Sequence, residues 1–251
     1  MTGIAWSKRL VKLLAATLSV AAVCVALGIW QIARLHQKQQ FNTAVRAGLS
    51  EPATSLDTLL TVHDADAILY RRADATGTYD TANEFVLYGR TQNSRAGNHI
   101  LTPFRLADGR SILVDRGWVP LDIDEPGASA VTPPPDDVRV EGVLLPSEGG
   151  APGVIGEAGV GGTTLAKVDL ARIQSQLPYR ISADYLLLQG QSPQQPDELP
   201  EPAPLPELSE GPHLSYALQW FTFAVIAVVG FAIMALREER DPPSADDDRV
   251  G

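Results

Sequence analysis

Two long stretches of the chain contain no charged residue: 13–33 (LLAATLSVAAVCVALGIWQIA) and 214–236 (LSYALQWFTFAVIAVVGFAIMAL). Crossing ~30 Å of hydrocarbon takes about 20 helical residues, so each stretch predicts a membrane span. A core helix of a water-soluble protein would be shorter and would show a polar face. Lys8, Arg9 and Lys12 precede the first stretch as they would in a signal peptide. The apolar core of a signal peptide, however, ends after about 7–15 residues, and here apolarity continues through Gly28, Ile29, Trp30 and Ile32.

Between the blocks the texture changes. Over 37–60 apolar residues recur at helical spacing (Phe41, Val45, Leu49, then Leu56, Leu59, Leu60), interrupted at Ser50-Glu51-Pro52, which predicts two short helices. From Ala67 onward, short runs bounded by turn residues predict strands at 68–72, 75–79, 84–90, 99–106, 111–119 and 138–145. Asp108-Gly109 falls between two apolar runs and predicts a tight hairpin, because glycine accepts the positive φ that such turns need. A short helix at 168–177 and a last strand at 185–189 (YLLLQ) complete the pattern. The predicted fold class is an α+β membrane protein, with two transmembrane helices enclosing a mainly antiparallel β extracytoplasmic domain with minor helices.

Three segments lack any such pattern. Residues 122–137, rich in Pro and Asp, and 146–162, rich in Gly, read as loops. Residues 190–212 carry seven prolines and five acids, which predicts an extended, polyproline-like tether leading back to the membrane. The expected organisation is a cytoplasmic N-terminus (1–12), a first span (13–33), an extracytoplasmic β-rich domain (34–189), the tether (190–212), a second span (213–236) and a cytoplasmic acidic tail (237–251). Basic residues near a membrane tend to remain cytoplasmic. Lys8, Arg9 and Lys12 before the first span, with Arg237 and Arg240 after the second, place both termini inside, although Arg34 and Lys38 run against the trend.

A net charge of −10 speaks against nucleic acid, whose binding needs a basic surface. The single cysteine, Cys24, excludes an intramolecular disulfide and a paired-thiolate copper site. Only 12 residues precede the first span, too few for a mitochondrial transit peptide, so a bacterial cell membrane is the expected location. His36, His63 and His99 show no metal-ligand spacing and read as surface residues. With no nucleophile elbow, phosphate-binding glycine loop or Ser/His/Asp pattern, the chain is not expected to be an enzyme.

Four segments, in order along the chain, carry a resemblance. They are Leu27-Gly-Ile-Trp-Gln-Ile-Ala-Arg34, Thr102-Pro-Phe-Arg-Leu-Ala-Asp-Gly-Arg110 leading into Val114-Asp-Arg-Gly-Trp-Val-Pro120, the run 185–189, and Gly211-Pro-His-Leu-Ser-Tyr-Ala-Leu-Gln-Trp220. Together they resemble the Surfeit locus family of cytochrome c oxidase assembly factors. The resemblance implies a respiratory-chain chaperone that helps haem a reach the catalytic subunit of the oxidase, with oxidase subunits and the lipid bilayer as partners. It also implies transient haem a binding through His213. The long Pro/acidic segment and the acidic tail depart from the family pattern.

The residues leave alternatives open. His213, just before the second span, can serve as an axial haem ligand or as an interfacial histidine bonded to lipid or loop. Trp220 shares its helix face and Tyr216 lies nearby; with Trp30 they can wall a macrocycle or form the ordinary interfacial aromatic belt. Arg34 can pair with a haem propionate or snorkel to headgroups. Gln31 and Gln219 are expected to hydrogen-bond across the helix pair, with Gly28 permitting close approach. Arg116, Gly117 and Trp118 serve either partner contact or the fold. The rival to haem handling is a scaffold or accessory subunit that binds oxidase subunits and is merely anchored by its spans.

Overall fold

Helix α1 (Lys8–Ser50) is a single 43-residue helix. In the computed structural model, which describes residues 8–62, 65–123, 131–149, 164–195 and 198–240, it extends well past the first apolar block. The separate helix expected from residue 37 is therefore a continuation of the first. Residues 29–47 contain neither Gly nor Pro and are rich in Gln, Lys, Arg and Ala, so nothing interrupts the backbone ladder before the Ser50-Glu51-Pro52 break. The second short helix is present as α2 (Leu56–Leu59). Residues 1–7, His63, most of the two loops (124–130 and 150–163), Asp197 and the tail 241–251 lie outside the described residues.

The chain divides into two units, Met1–Asn42 with Leu208–Gly251, and Thr43–Glu207. The first holds two helices long and apolar enough to cross a membrane, the first within α1 and the second in α4 (His213–Arg240). Gln31 meets His213 while Asn42 meets Leu208, so the two helices run antiparallel. Most large side chains on both point outward, among them Val23, Ile29, Leu218, Val225 and Ile226. In a water-soluble fold this would be a costly exposure of apolar surface.

Among the described residues, the second unit is built on a mixed sheet of eight strands: β1 (Thr54–Ser55), β2 (Arg72–Tyr79), β3 (Phe85–Gln92), β4 (Arg95–Leu106), β5 (Ser111–Pro120), β6 (Val138–Pro146), β7 (Thr164–Leu165) and β8 (Asp184–Ser192). Five pairings are antiparallel, and β1–β2, β3–β7 and β5–β8 are parallel. The order β2-β6-β8-β5-β4 closes on itself, because Gly77–Tyr79 of β2 also pair with Phe104–Leu106 of β4. Closure removes exposed strand edges.

Every strand of this ring sends alternate residues to the interior: Ala73 and Ala75, Phe104 and Leu106, Ile112 and Val114, Val138 and Val140, Leu186 and Leu188, with Leu56 and Leu59 of α2 packed onto them. The intervening residues Leu101, Leu113, Tyr185 and Leu187 pack outward under β3, β7 and α3 (Leu170–Gln174). Strands covered on both faces read as unbroken apolar runs, as 185–188 does. Each fully buried Leu, Val or Phe contributes about 1.5–3 kcal/mol, so the two layers supply most of the stabilisation.

Several expectations hold and several need correction. The Asp108-Gly109 hairpin joins β4 to β5, with Gly109 at φ +86°. The strand expected at 68–72 is instead a 3-10 turn (Ala65–Ile68) followed by Tyr70 at φ +61°. There the apolar run serves two packing layers in turn, Ile68 joining the interior and Tyr70 the outer cluster.

The tether is not free. Trp118 and Glu201 exchange backbone hydrogen bonds of 2.7 and 2.8 Å, Arg95 pairs with the Glu201 carboxylate at 2.5 Å, and Ala203 is buried in the outer cluster. The prolines here carry no N–H to satisfy, while Glu201 between two of them does the pairing, so residues 198–206 lie on the domain as a strap.

Candidate functional site

On the inner face of α1, Cys24, Gly28 and Leu35 are buried and Gln31 is half-buried; on α4, Ala217 and Ala224 are buried with His213, Trp220 and Phe221 half-buried. Small residues allow close backbone approach. A Cβ on Gly28 would lie 2.5 Å from the Phe221 ring. At the loop-proximal end of this seam, His213 Nδ1 and Gln31 Oε1 are 2.8 Å apart. Gln39 donates to Glu210 at 3.2 Å and Asn42 donates to the Leu208 carbonyl at 3.1 Å.

Gln31 thus bonds across the pair, to His213, whereas Gln219 is exposed. Trp30 is 51% exposed and stacks one turn from Arg34, whose guanidinium carbon is 5.8 Å from the ring centroid. Arg34 also donates to Gln37 at 3.0 Å. Trp220 packs edge-on against Phe223, 5.9 Å between centroids, and Tyr216 is exposed. Among the described residues no hydrogen bond or ring contact joins Trp30 or Arg34 to His213. The direct contacts shown are His213 with Gln31 and Trp30 with Arg34.

Arg116, Gly117 and Trp118 lie within β5, and neither Arg116 (2% exposed) nor Trp118 (1%) projects toward solvent. The β4–β5 register steps so that Ile100 faces Gly117 and Leu101 faces Asp115, leaving Arg116 as the extra residue of a bulge. A bulge re-aims a side chain. Here the guanidinium meets Glu84 at 3.0 Å, the Val131 carbonyl at 2.5 Å and Gln195 at 2.9 Å, while Thr102 donates to Glu84 at 2.7 Å. Burial pulls the Arg116 guanidinium below its usual pKa, opposed by the Glu84 charge. Gly117, at φ +122°, is where the strap crosses: a Cβ there would collide with the Glu201 carbonyl. Trp118 donates its indole N–H to the Arg90 carbonyl at 3.2 Å and lies under the Arg95 guanidinium. All three residues hold the fold and its strap.

His99 is not a surface residue. Its side chain is 12% exposed and its Nδ1 lies 2.8 Å from Asp115 Oδ2, while Asp115 Oδ1 accepts the Gly117 N–H at 3.0 Å. The pair lines a cavity of about 200 Å³ with Leu187, Tyr185 and Pro204. His99 and Asp115 are 16 residues apart on neighbouring strands, a juxtaposition that needs the register and leaves no spacing signal. His36 is exposed, as expected. No cluster of three or more metal-ligating side chains occurs among the described residues.

A family model describing the SURF1 family matches residues 18–225. The chain belongs to the SURF1 family. It is 27% identical to a SURF1-like protein of Rickettsia felis over 84% of this chain and 91% of that one. An uncharacterised SURF1-like protein of Mycobacterium tuberculosis is 27% identical over 84% of this chain and 77% of its own. A SURF1-like protein of Monosiga brevicollis reaches 36% identity over 57% of this chain and 58% of its own. The SURF1 match spans the β domain, most of α1 and the first half of α4, so both units contribute to it. SURF1 membership carries a general role in the assembly of respiratory oxidase, that of an assembly factor rather than a catalytic family.

Proposed function

We propose that the chain is a bacterial cell-membrane protein that helps insert haem a into the catalytic subunit of cytochrome c oxidase, holding the haem transiently through His213. Residues 13–33 and 213–236 span the bilayer, both termini are cytoplasmic and 34–212 lie outside, in keeping with the basic residues flanking the two apolar helices. The observation that carries the haem reading is the setting of His213. It opens α4 at the end of an apolar helix seam; one ring nitrogen is bonded to Gln31, and the other has no hydrogen-bond partner among the described residues. An imidazole in such a place fits a haem iron, and an apolar, isoprenoid-bearing haem stays with the bilayer rather than crossing water. Bound there, haem would supply an iron for the His213 imidazole to ligate. Trp220 offers an adjacent aromatic face, and Trp30 with Arg34 forms a separate exposed patch suited to a propionate-bearing edge or to the oxidase itself.

The test is an optical spectrum of the purified protein co-expressed with haem a biosynthesis. The wild type should show bound haem a and His213→Ala should lose it, and a deletion strain should contain less spectroscopic haem a in its oxidase. A wild-type protein that stays colourless while a known haem a binder loads under the same conditions would leave the scaffold role, with oxidase subunits as direct partners and no cofactor.

A further inference from the structure

Gln31 sits among apolar neighbours on the inner face of α1, where a primary amide without a partner costs several kcal/mol. Its carbonyl oxygen takes one from the other helix, 2.8 Å from His213 Nδ1. With Gln31 Oε1 as acceptor, Nδ1 must carry the imidazole proton, and the lone pair of a neutral ring is then on Nε2. The Nε2 edge faces Gly211, where even a Cβ would make only ordinary van der Waals contact, 3.6 Å from Nε2 and 3.5 Å from Cδ2. One edge of the ring is fastened, and the other has no hydrogen-bond partner among the described residues. Metal-bound histidines are commonly held in this way, the non-ligating N–H donating to a carbonyl or carboxylate that fixes tautomer and ring orientation.

We infer that Gln31 is a positioning residue for His213: it sets the Nδ1–H tautomer and aims Nε2, so that the first apolar helix contributes to a ligand site whose liganding atom belongs to the second. This rests on the haem-binding reading for the ligand's identity, but the effect on the imidazole does not. The competing role is a hydrogen bond that only pairs the helices. That role would predict no consequence for the ring once pairing is maintained.

The experiment uses the full chain in nanodiscs with 15N-labelled histidine. In the haem-free wild type the His213 signals should report a proton on Nδ1 and none on Nε2. Gln31→Leu should shift the ring toward the Nε2–H form, and Gln31→Glu, which keeps an acceptor, should restore the wild-type pattern. After loading with haem a, Gln31→Leu should bind about 10-fold or more weakly, the usual consequence of losing such a partner. Gln31→Glu should recover binding with a lowered iron reduction potential, since a carboxylate makes the imidazole a stronger donor. An unchanged tautomer in Gln31→Leu, in a sample where a pair of cysteines introduced across the α1–α4 seam still forms a disulfide as it does beside native Gln31, overturns the inference. If the tautomer shifts as stated but no variant takes up haem, the positioning of His213 stands and the haem reading falls.

Discussion

Single side chains in the β domain differ sharply in what they hold. Arg116 and Glu84 are each 1% exposed at the side chain. Neither can be removed alone, because the survivor is a buried charge without its counterpart. We expect Arg116→Leu to destabilise the domain by about 3–5 kcal/mol, and Arg116→Met combined with Glu84→Gln to recover a large part of that. Tryptophan-fluorescence unfolding in detergent checks both, and equal losses in the single and double variants would contradict the pairing. Asp80 is a different case, a carboxylate near the surface that accepts from Tyr179, Asn83 and Arg105. Burial alone would raise its pKa, but those three hydrogen bonds outweigh it and hold the carboxyl below the usual carboxylate range. Tyr179 is pushed up to about 12, by burial first and then by Asp80. Since the folded pKa of Asp80 lies below the unfolded one, its contribution is complete above pH ~4 and fades as pH falls through the folded value. The stability gap between wild type and Asp80→Asn should therefore be constant from pH 7 to about pH 5 and shrink at more acid pH.

Elements are fixed to one another by backbone geometry at a few sites. The strap 198–206 is joined to β5 by the Trp118–Glu201 pair, and Gly117 makes that approach possible. Gly109, in the β4–β5 turn, has an equally unusual φ of +86° but open space around it. Alanine at Gly109 should cost about 1 kcal/mol, the ordinary penalty for a positive φ. Alanine at Gly117 adds a collision and should release the strap, seen as faster hydrogen exchange at the Glu201 amide while the β6–β8 amides remain protected. Similar exchange in both variants would mean that the strap is held by Arg95 and Ala203 rather than by strand pairing. The β3–β4 hairpin makes a related point. Its two-residue turn is Asn93-Ser94, at φ +50° and +61°. It lacks the glycine that marks such turns, so the sequence pattern alone predicts that strand from 99 although it starts at Arg95.

For the whole molecule, the proposed topology has a direct consequence. Ser94 lies at the exposed tip of that hairpin and Cys24 is the only native cysteine. In a Cys24→Ala background, Ser94→Cys should react with a membrane-impermeant maleimide in intact spheroplasts. Reaction only after lysis would reverse the orientation assigned from Lys8, Arg9, Lys12, Arg237 and Arg240.

What the sequence determined by itself is whatever is encoded within short windows. Two uncharged blocks, 13–33 and 214–236, demand apolar helices, period-two runs between turn residues demand strands, and Asp108-Gly109 demands its hairpin, because hydrophobic pattern and φ preference are local properties. The resemblance carried by Leu27–Arg34, Val114–Pro120 and Gly211–Trp220 was likewise legible as strings. Tertiary structure alone decided what depends on register and closure. The ring formed by β2 meeting β4, the bulge that turns Arg116 toward Glu84, the His99–Asp115 pair and the bond between Gln31 and His213, 182 residues apart, all join positions whose separation in sequence says nothing of their distance. The same holds for the strap, whose prolines forbid a ladder of its own but not a single pairing with a strand that folding has placed beside it.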